Sequence, residues 1–172
     1  MTQVPITGSA VFSPCGKYRL LLTRHIPCIL RHVKPVLFIM NNPSVATDDL
    51  PDPTITRLVG YCQSWFATDL SVVNLFSYIT PYPKELAKLD EQTAIGPDND
   101  KMLLEQILYH SKVGTIIAAW GNNSFSVKRA KVVKQMILDN APGNLHYLKL
   151  NKNGTPAHPL YLKRDLLPVE WK

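Results

Sequence analysis

The chain has 172 residues, of which 45% are hydrophobic and 19% charged, enough for one domain to bury a core without disulfide or metal staples. That balance is ordinary for a globular protein and does not read as disordered, and its apolar runs are too short to cross a bilayer. A net charge of +6 favours an anionic partner such as nucleic acid, because each phosphate neutralised releases counterions. The N-terminus carries neither the basic patch nor the long apolar stretch of a signal peptide, so the expected location is the cytoplasm. Cys15, Cys28 and Cys62 are odd in number and show no CxxC spacing, which argues against a disulfide framework and against zinc. Structural thiols are expected instead.

In chain order, Val11 to Gly16 reads as a lead-in closed by the Pro14-Cys15-Gly16 turn. Tyr18 to Thr23 follows as a strand, giving an N-terminal hairpin or edge strand. Val36 to Met40 is a continuous apolar run, the pattern of a strand buried on both faces, and it stops at the polar turn Asn41-Asn42-Pro43-Ser44. Asp52 is a candidate N-cap with Pro53 at the first helical position, and Ile55, Leu58, Val59, Cys62 and Phe66 recur at helical spacing behind it. Leu70 to Phe76 predicts a second strand, Pro83 to Leu89 a short helix, and Asp98 to His110 a longer one with Leu103, Leu104, Ile107 and Leu108 inward. Thr115 to Trp120 predicts a third buried strand ending at Gly121-Asn122-Asn123-Ser124, and Ser124 could cap a helix running to about Asp139. Leu145 to Leu150 predicts a fourth, and the tail carries His158-Pro159-Leu160.

Strands alternating with helices predict an α/β fold, a three-layer sandwich with a mainly parallel sheet of about four core strands plus the N-terminal hairpin or edge strand. In open α/β sheets ligands bind outside the carboxyl ends of the strands, so Asn41, Asn42, Ser44, Asn74, Gly121, Asn122, Asn123 and His158 are expected along one edge.

The ordered series Asn42-Pro43-Ser44, Asp52-Pro53-Thr54, Asn74-Leu75-Phe76, Trp120-Gly121 and His158-Pro159-Leu160 resembles a bacterial and phage family catalogued as domain of unknown function 1643. That family in turn resembles the uracil-DNA glycosylase superfamily. The resemblance implies one uracil-DNA-glycosylase-like domain over residues 1–172. It also implies roles: Asn42 positions a water, Pro53 and Thr54 pinch a DNA phosphate, Asn74 reads the polar edge of a base, and His158 stabilises the departing base. Trp120-Gly121 resembles the strand end before a phosphate-contacting loop, which extends the phosphate candidates through Asn122, Asn123 and Ser124. Asn41, Ser44 and Phe76 join Asn74 as candidates for base contact. Three positions depart from the superfamily pattern: Met40 stands where motif one usually begins with Gly, Ser44 replaces an aromatic, and Leu160-Tyr161 replaces a Ser-containing loop.

Cleaving an N-glycosidic bond leaves positive charge on the sugar and negative charge on the base, so a donor must face the base and a water must be held near the sugar carbon. A neutral His158 and Asn42 suit those tasks, although an amide cannot accept the water's proton. Asn74 carries both a donor and an acceptor for a flipped base. Plainer readings stand beside these: Asn41 and Asn42 before a proline suit an Asx turn, and Asn74 suits backbone satisfaction in a loop. Asp48, Asp49 and Asp52 suit a metal or, in preference, a solvated loop with a helix cap. Lys128, Arg129, Lys131 and Lys134 point to solvent opposite Val127, Ala130, Val133 and Ile137, or form a DNA-facing stripe. Arg19 and Arg24 are further phosphate candidates. No Walker loop, dinucleotide fingerprint or zinc set is present, so no cofactor is expected. The expected function is recognition, and excision, of a modified or damaged base in DNA rather than RNA. The alternatives are a non-catalytic nucleic-acid or nucleotide binder and an enzyme acting on a free nucleotide; the sequence sets no oligomeric state.

Overall fold

The computed structural model describes residues 5–28, 34–44 and 52–172. Its strands are β1 (Thr7–Phe12), β2 (Arg19–His25), β3 (Pro35–Met40), β4 (Asp69–Asn74), β5 (Thr115–Ala118), β6 (Leu145–Tyr147) and β7 (Val169–Glu170). They form one mixed seven-stranded sheet in the order β1-β2-β4-β3-β5-β6-β7. β3 pairs in parallel with β4 and β5, and β5 with β6, while β1-β2, β2-β4 and β6-β7 are antiparallel. The sheet is therefore larger than the sequence predicts. β7 has two residues, both exposed, and β1 is exposed at every residue but one. Edge strands that bury so little leave no apolar alternation to read.

β3 is central because every residue of Pro-Val-Leu-Phe-Ile-Met is buried. Leu37 and Ile39 face one core, and Val36, Phe38 and Met40 face the other. Each fully buried side chain of this kind contributes about 1.5–3 kcal/mol relative to exposure. The helices are α1 (Pro53–Ser64), α2 (Pro83–Leu86), α3 (Glu91–Ile95), α4 (Asn99–Val113) and α5 (Val127–Asn140). α1 covers the Phe38 face with Ile55, Leu58, Tyr61 and Cys62. α4 and α5 cover the Leu37 face with Leu103, Ile107, Val133 and Ile137. Burial pushes the Cys62 thiol up to about 12, so it packs as a small apolar group.

α1 begins as its sequence dictates, with the Asp52 carboxylate accepting from the Ile55 N–H at 2.8 Å and Pro53 at the first turn. α3 is not anticipated, since five residues are too few for a helical period to show. It ends at Gly96, whose φ of 79° and ψ of 167° are all but closed to other residues. A Cβ there would also lie 2.4 Å from the Tyr18 ring and 2.6 Å from Ser77 Oγ.

Other expectations are corrected. Ser124 does not cap α5; it opens a 3₁₀ turn, Ser124–Ser126, that leads into the helix. α4 starts and ends three or fewer residues from expectation, but Leu108 is 41% exposed, because the inward stripe runs through Leu103, Ile107 and His110. β6 stops at Tyr147, and Leu150 makes only an isolated bridge to Pro156. Among the described residues no helix is long and apolar enough to cross a membrane.

Candidate functional site

The parallel strands β3 and β4 deliver polar side chains to the same edge of the sheet. Beyond β3 the turn is stitched to the chain leaving β4: Leu75 N–H donates to Met40 O at 2.9 Å, Phe76 N–H to Asn41 O at 3.0 Å, and Thr80 N–H to Pro43 O at 3.0 Å. A cavity of about 330 Å³ opens there, near the lower end for small-ligand sites. Asn42, Ser44, Thr54, Asn74 and His158 all line it. Its wall also holds Arg19 and Asp52.

Asn42 donates both Nδ2 hydrogens to carbonyls, Pro43 O at 3.1 Å and Thr80 O at 2.8 Å, while Oδ1 accepts from Asn41 Nδ2 at 3.0 Å. Two carbonyl acceptors fix which end of the amide is nitrogen, and Oδ1 keeps one lone pair for a further donor such as water. Asn41 itself does not line the cavity. Its Oδ1 accepts from Ser126 Oγ at 2.5 Å, which ties the end of β3 to the approach to α5.

Asn74, the last residue of β4, is 1% exposed, and its Nδ2 has no partner among the described residues. Leaving such a donor unsatisfied costs about 1–3 kcal/mol, which an acceptor on a ligand would recover. The backbone around it is held from behind. Asn99 Nδ2 donates to Asn74 O at 3.2 Å and Leu75 O at 3.1 Å, and Arg129 Nε donates to Leu75 O at 3.0 Å. The Arg129 guanidinium also pairs with Asp100. Arg129 is thus a core residue, 3% exposed, and not part of a solvated or DNA-facing stripe. Its place one helical turn before Val133 is the signal that could have shown this.

His158 enters on the loop after the Leu150–Pro156 bridge, and its Nδ1 accepts from Leu160 N–H at 3.4 Å at the start of the 3₁₀ turn Pro159–Tyr161. Burial holds the imidazole below its ordinary value of 6.5, with the Asp52 charge pulling weakly the other way. A neutral ring whose Nδ1 is an acceptor carries its proton on Nε2, so His158 is a donor at neutral pH. Gly121, with φ of 80°, packs against this loop; a Cβ there would sit 3.6 Å from His158 Cβ.

Residues 19–160 match the family described as Protein of unknown function (DUF1643). The chain belongs to this DUF1643 family. Comparison with curated proteins and with solved structures gives no match. The matched stretch begins at Arg19 and ends at Leu160, so among the described residues it holds every one that lines the cavity except Tyr161.

Not every candidate converges in the DUF1643 chain. Phe76 is 3% exposed and packs 5.9 Å from the Phe125 ring in the core, away from the cavity wall, because β4 ends at Asn74 and the strand alternation is not carried through to it. Asn122 and Ser124 are exposed and Asn123 half-buried, around the entry to α5 and off the cavity wall. Pro53 lines a wider groove of about 720 Å³ along α1 with Arg57 and Arg164, and Leu160 borders both spaces. Asp48 and Asp49 lie outside the described residues, and among those described no three His, Cys, Asp or Glu side chains cluster as metal ligands. Arg19, read from the sequence as a phosphate candidate, and Asp52, read there as a helix cap, also line the cavity although neither ends a strand. β2 runs antiparallel to β4, so Arg19 at its start reaches the carboxyl end of β4. Burial lowers the Arg19 guanidinium to about 10, with the Asp52 charge opposing the shift, and it remains a cation at neutral pH.

Two histidines of this DUF1643 protein set an acid limit on stability. His110, fully buried, has Nδ1 on Gln106 O at 2.8 Å, and burial holds its imidazole, like that of His158, below 6.5. The unfolded chain then binds more protons than the folded one as pH drops below about 6.5, so stability is full above that value and falls as pH descends through the folded values. Melting temperatures should hold near pH 7 and decline as pH falls below about 6.5, with a smaller decline in His110→Asn. A melting temperature that stays level from pH 7.5 to pH 5 would refute this.

Proposed function

We propose that this DUF1643 chain holds a nucleobase by its edge in the cavity between the Asn42-Pro43-Ser44 turn and the His158-Pro159 loop, and cleaves the base from DNA as a glycosylase-like hydrolase. The observation that carries the reading is the meeting of Asn42, Asn74 and His158, far apart in sequence, around one cavity of about 330 Å³. The unpartnered Asn74 Nδ2 supports an acceptor-bearing ligand, because nothing in the described protein satisfies that donor. A neutral His158 is suited to donate to charge developing on the departing base. Helices on both sheet faces and motifs gathered at one sheet edge support a uracil-DNA-glycosylase-like architecture, and the net charge of +6 supports a DNA partner.

The test is incubation with single-stranded and duplex DNA carrying uracil, hydroxymethylated or other altered bases, phage DNA included, followed by assay for free base and abasic sites. Release of at least one base, abolished by loss of the His158 imidazole, is the expected result. No release across the panel would overturn the enzymatic reading. One observation favours a second reading, binding without cleavage: both Asn42 N–H groups are spent on loop carbonyls, as in a structural turn. Tight DNA binding without turnover that survives Asn42→Ala and His158→Ala would select it.

A further inference from the structure

We propose that Asp52 supplies the proton-accepting carboxylate of the cavity, taking the proton from the water that Asn42 positions. The proposal rests on the glycosylase-like reading above and addresses its chemical gap, since the Asn42 amide holds a water but cannot take its proton. Asp52 is the only carboxylate among the described residues that line the cavity. The α1 cap engages one of its oxygens, Oδ1, at 2.8 Å from Ile55 N. Among the described residues no hydrogen bond occupies the other, Oδ2.

Two further features place Asp52 at the chemistry rather than at the helix alone. Its charge acts on both His158 and Arg19, which stand on the same cavity wall, so the carboxylate is within electrostatic reach of the base-side donor. The helix cap also fixes the side chain, because Asp52 has extended backbone with φ of −82° and ψ of 166° and its oxygen is locked to the first turn. In the step proposed, the water oxygen bonds to the sugar carbon as the N-glycosidic bond breaks. One water proton passes to Asp52, and the bonding pair leaves with the base, which accepts a hydrogen bond from His158 Nε2–H. Proton return from Asp52 to solvent or to the departed base closes the cycle without any redox partner.

Asp52→Asn separates the two roles, since asparagine caps a helix as well as aspartate but takes no proton. The experiment is single-turnover base release by the full chain from a uracil-containing single-stranded oligonucleotide, or from whichever altered-base oligonucleotide of the panel the wild type cleaves. Asp52→Asn should release base at least about 100-fold more slowly, with its oligonucleotide Kd and melting temperature close to wild type. Asp52→Ser, which also caps, should reproduce the loss. If either variant cleaves at the wild-type rate while the wild type is active, the proposal is overturned and the glycosylase reading stands. If either loses affinity or folding in step with rate, Asp52 is structural and the proposal is overturned as well. If the wild type cleaves nothing, the reading itself fails and takes the proposal with it.

Discussion

Replacing His158 with alanine is expected to slow base release from DNA by about 10²–10³-fold, the usual cost of deleting one donor to developing negative charge. The imidazole is neutral through burial, and its Nδ1 is occupied by Leu160 N–H, so Nε2–H is the one hydrogen it can offer to a ligand. Folding should change little, because the bond it gives up is long, 3.4 Å, and joins neighbours within one 3₁₀ turn. His158→Gln retains a donor and should fall between the two. Single-turnover rates measured beside melting temperatures check this: a His158→Ala enzyme of wild-type rate would remove the imidazole from the mechanism, and a collapse in stability would make it structural.

Arg129→Ala is expected to cost about 3 kcal/mol of stability, which lowers the melting temperature by roughly 6–12 °C for a chain of this size. The buried guanidinium donates to Leu75 O and pairs with Asp100, so truncation leaves that carbonyl with Asn99 Nδ2 as its remaining donor, strips Asp100 of its partner and opens a void beneath α5. The effect extends to the cavity, because Arg129 and Asn99 together clamp the carbonyls that end β4, where Asn74 sits. Asp100→Asn should be milder, since Asp100 is 57% exposed and its surface charge is screened by water. Thermal melts, with the Asn74 side-chain amide followed by NMR, test both parts. Wild-type stability in Arg129→Ala would mean that the Asn99 bond suffices for Leu75 O and that the core closes over the lost side chain.

Legibility followed burial. The run Val36 to Met40 announces β3 because a strand covered on both faces has no polar position to obscure it. Asp52-Pro53 announces the start of α1 because a carboxylate cap and a fixed proline φ act within one turn. The N-terminal hairpin was legible only through its turn and β2, with β1 longer than its lead-in suggested; β7, which buries nothing, left no such trace, and α3 is shorter than one readable period. The same logic explains the side chains. Asn42, Asn74 and His158 are polar residues set at abrupt ends of apolar segments or beside proline, and they could be named in advance. Asn41 and Asn42 are chemically identical neighbours, and only the positions of Ser126 and Thr80 decide that one braces α5 while the other lines the cavity.

By itself, the sequence determined the α/β alternation, the buried β3, and the membership of polar strand ends in a common edge, all consequences of short-range periodicity and turn chemistry. Tertiary structure alone decided that Arg19 and Asp52 join that edge, that Arg129 turns inward, and that Phe76 withdraws into the core. The physical reason is pairing across long separations. Antiparallel β2 carries Arg19 to the end of β4, and the sheet order places β4 beside β3, so groups with no local relation share one cavity.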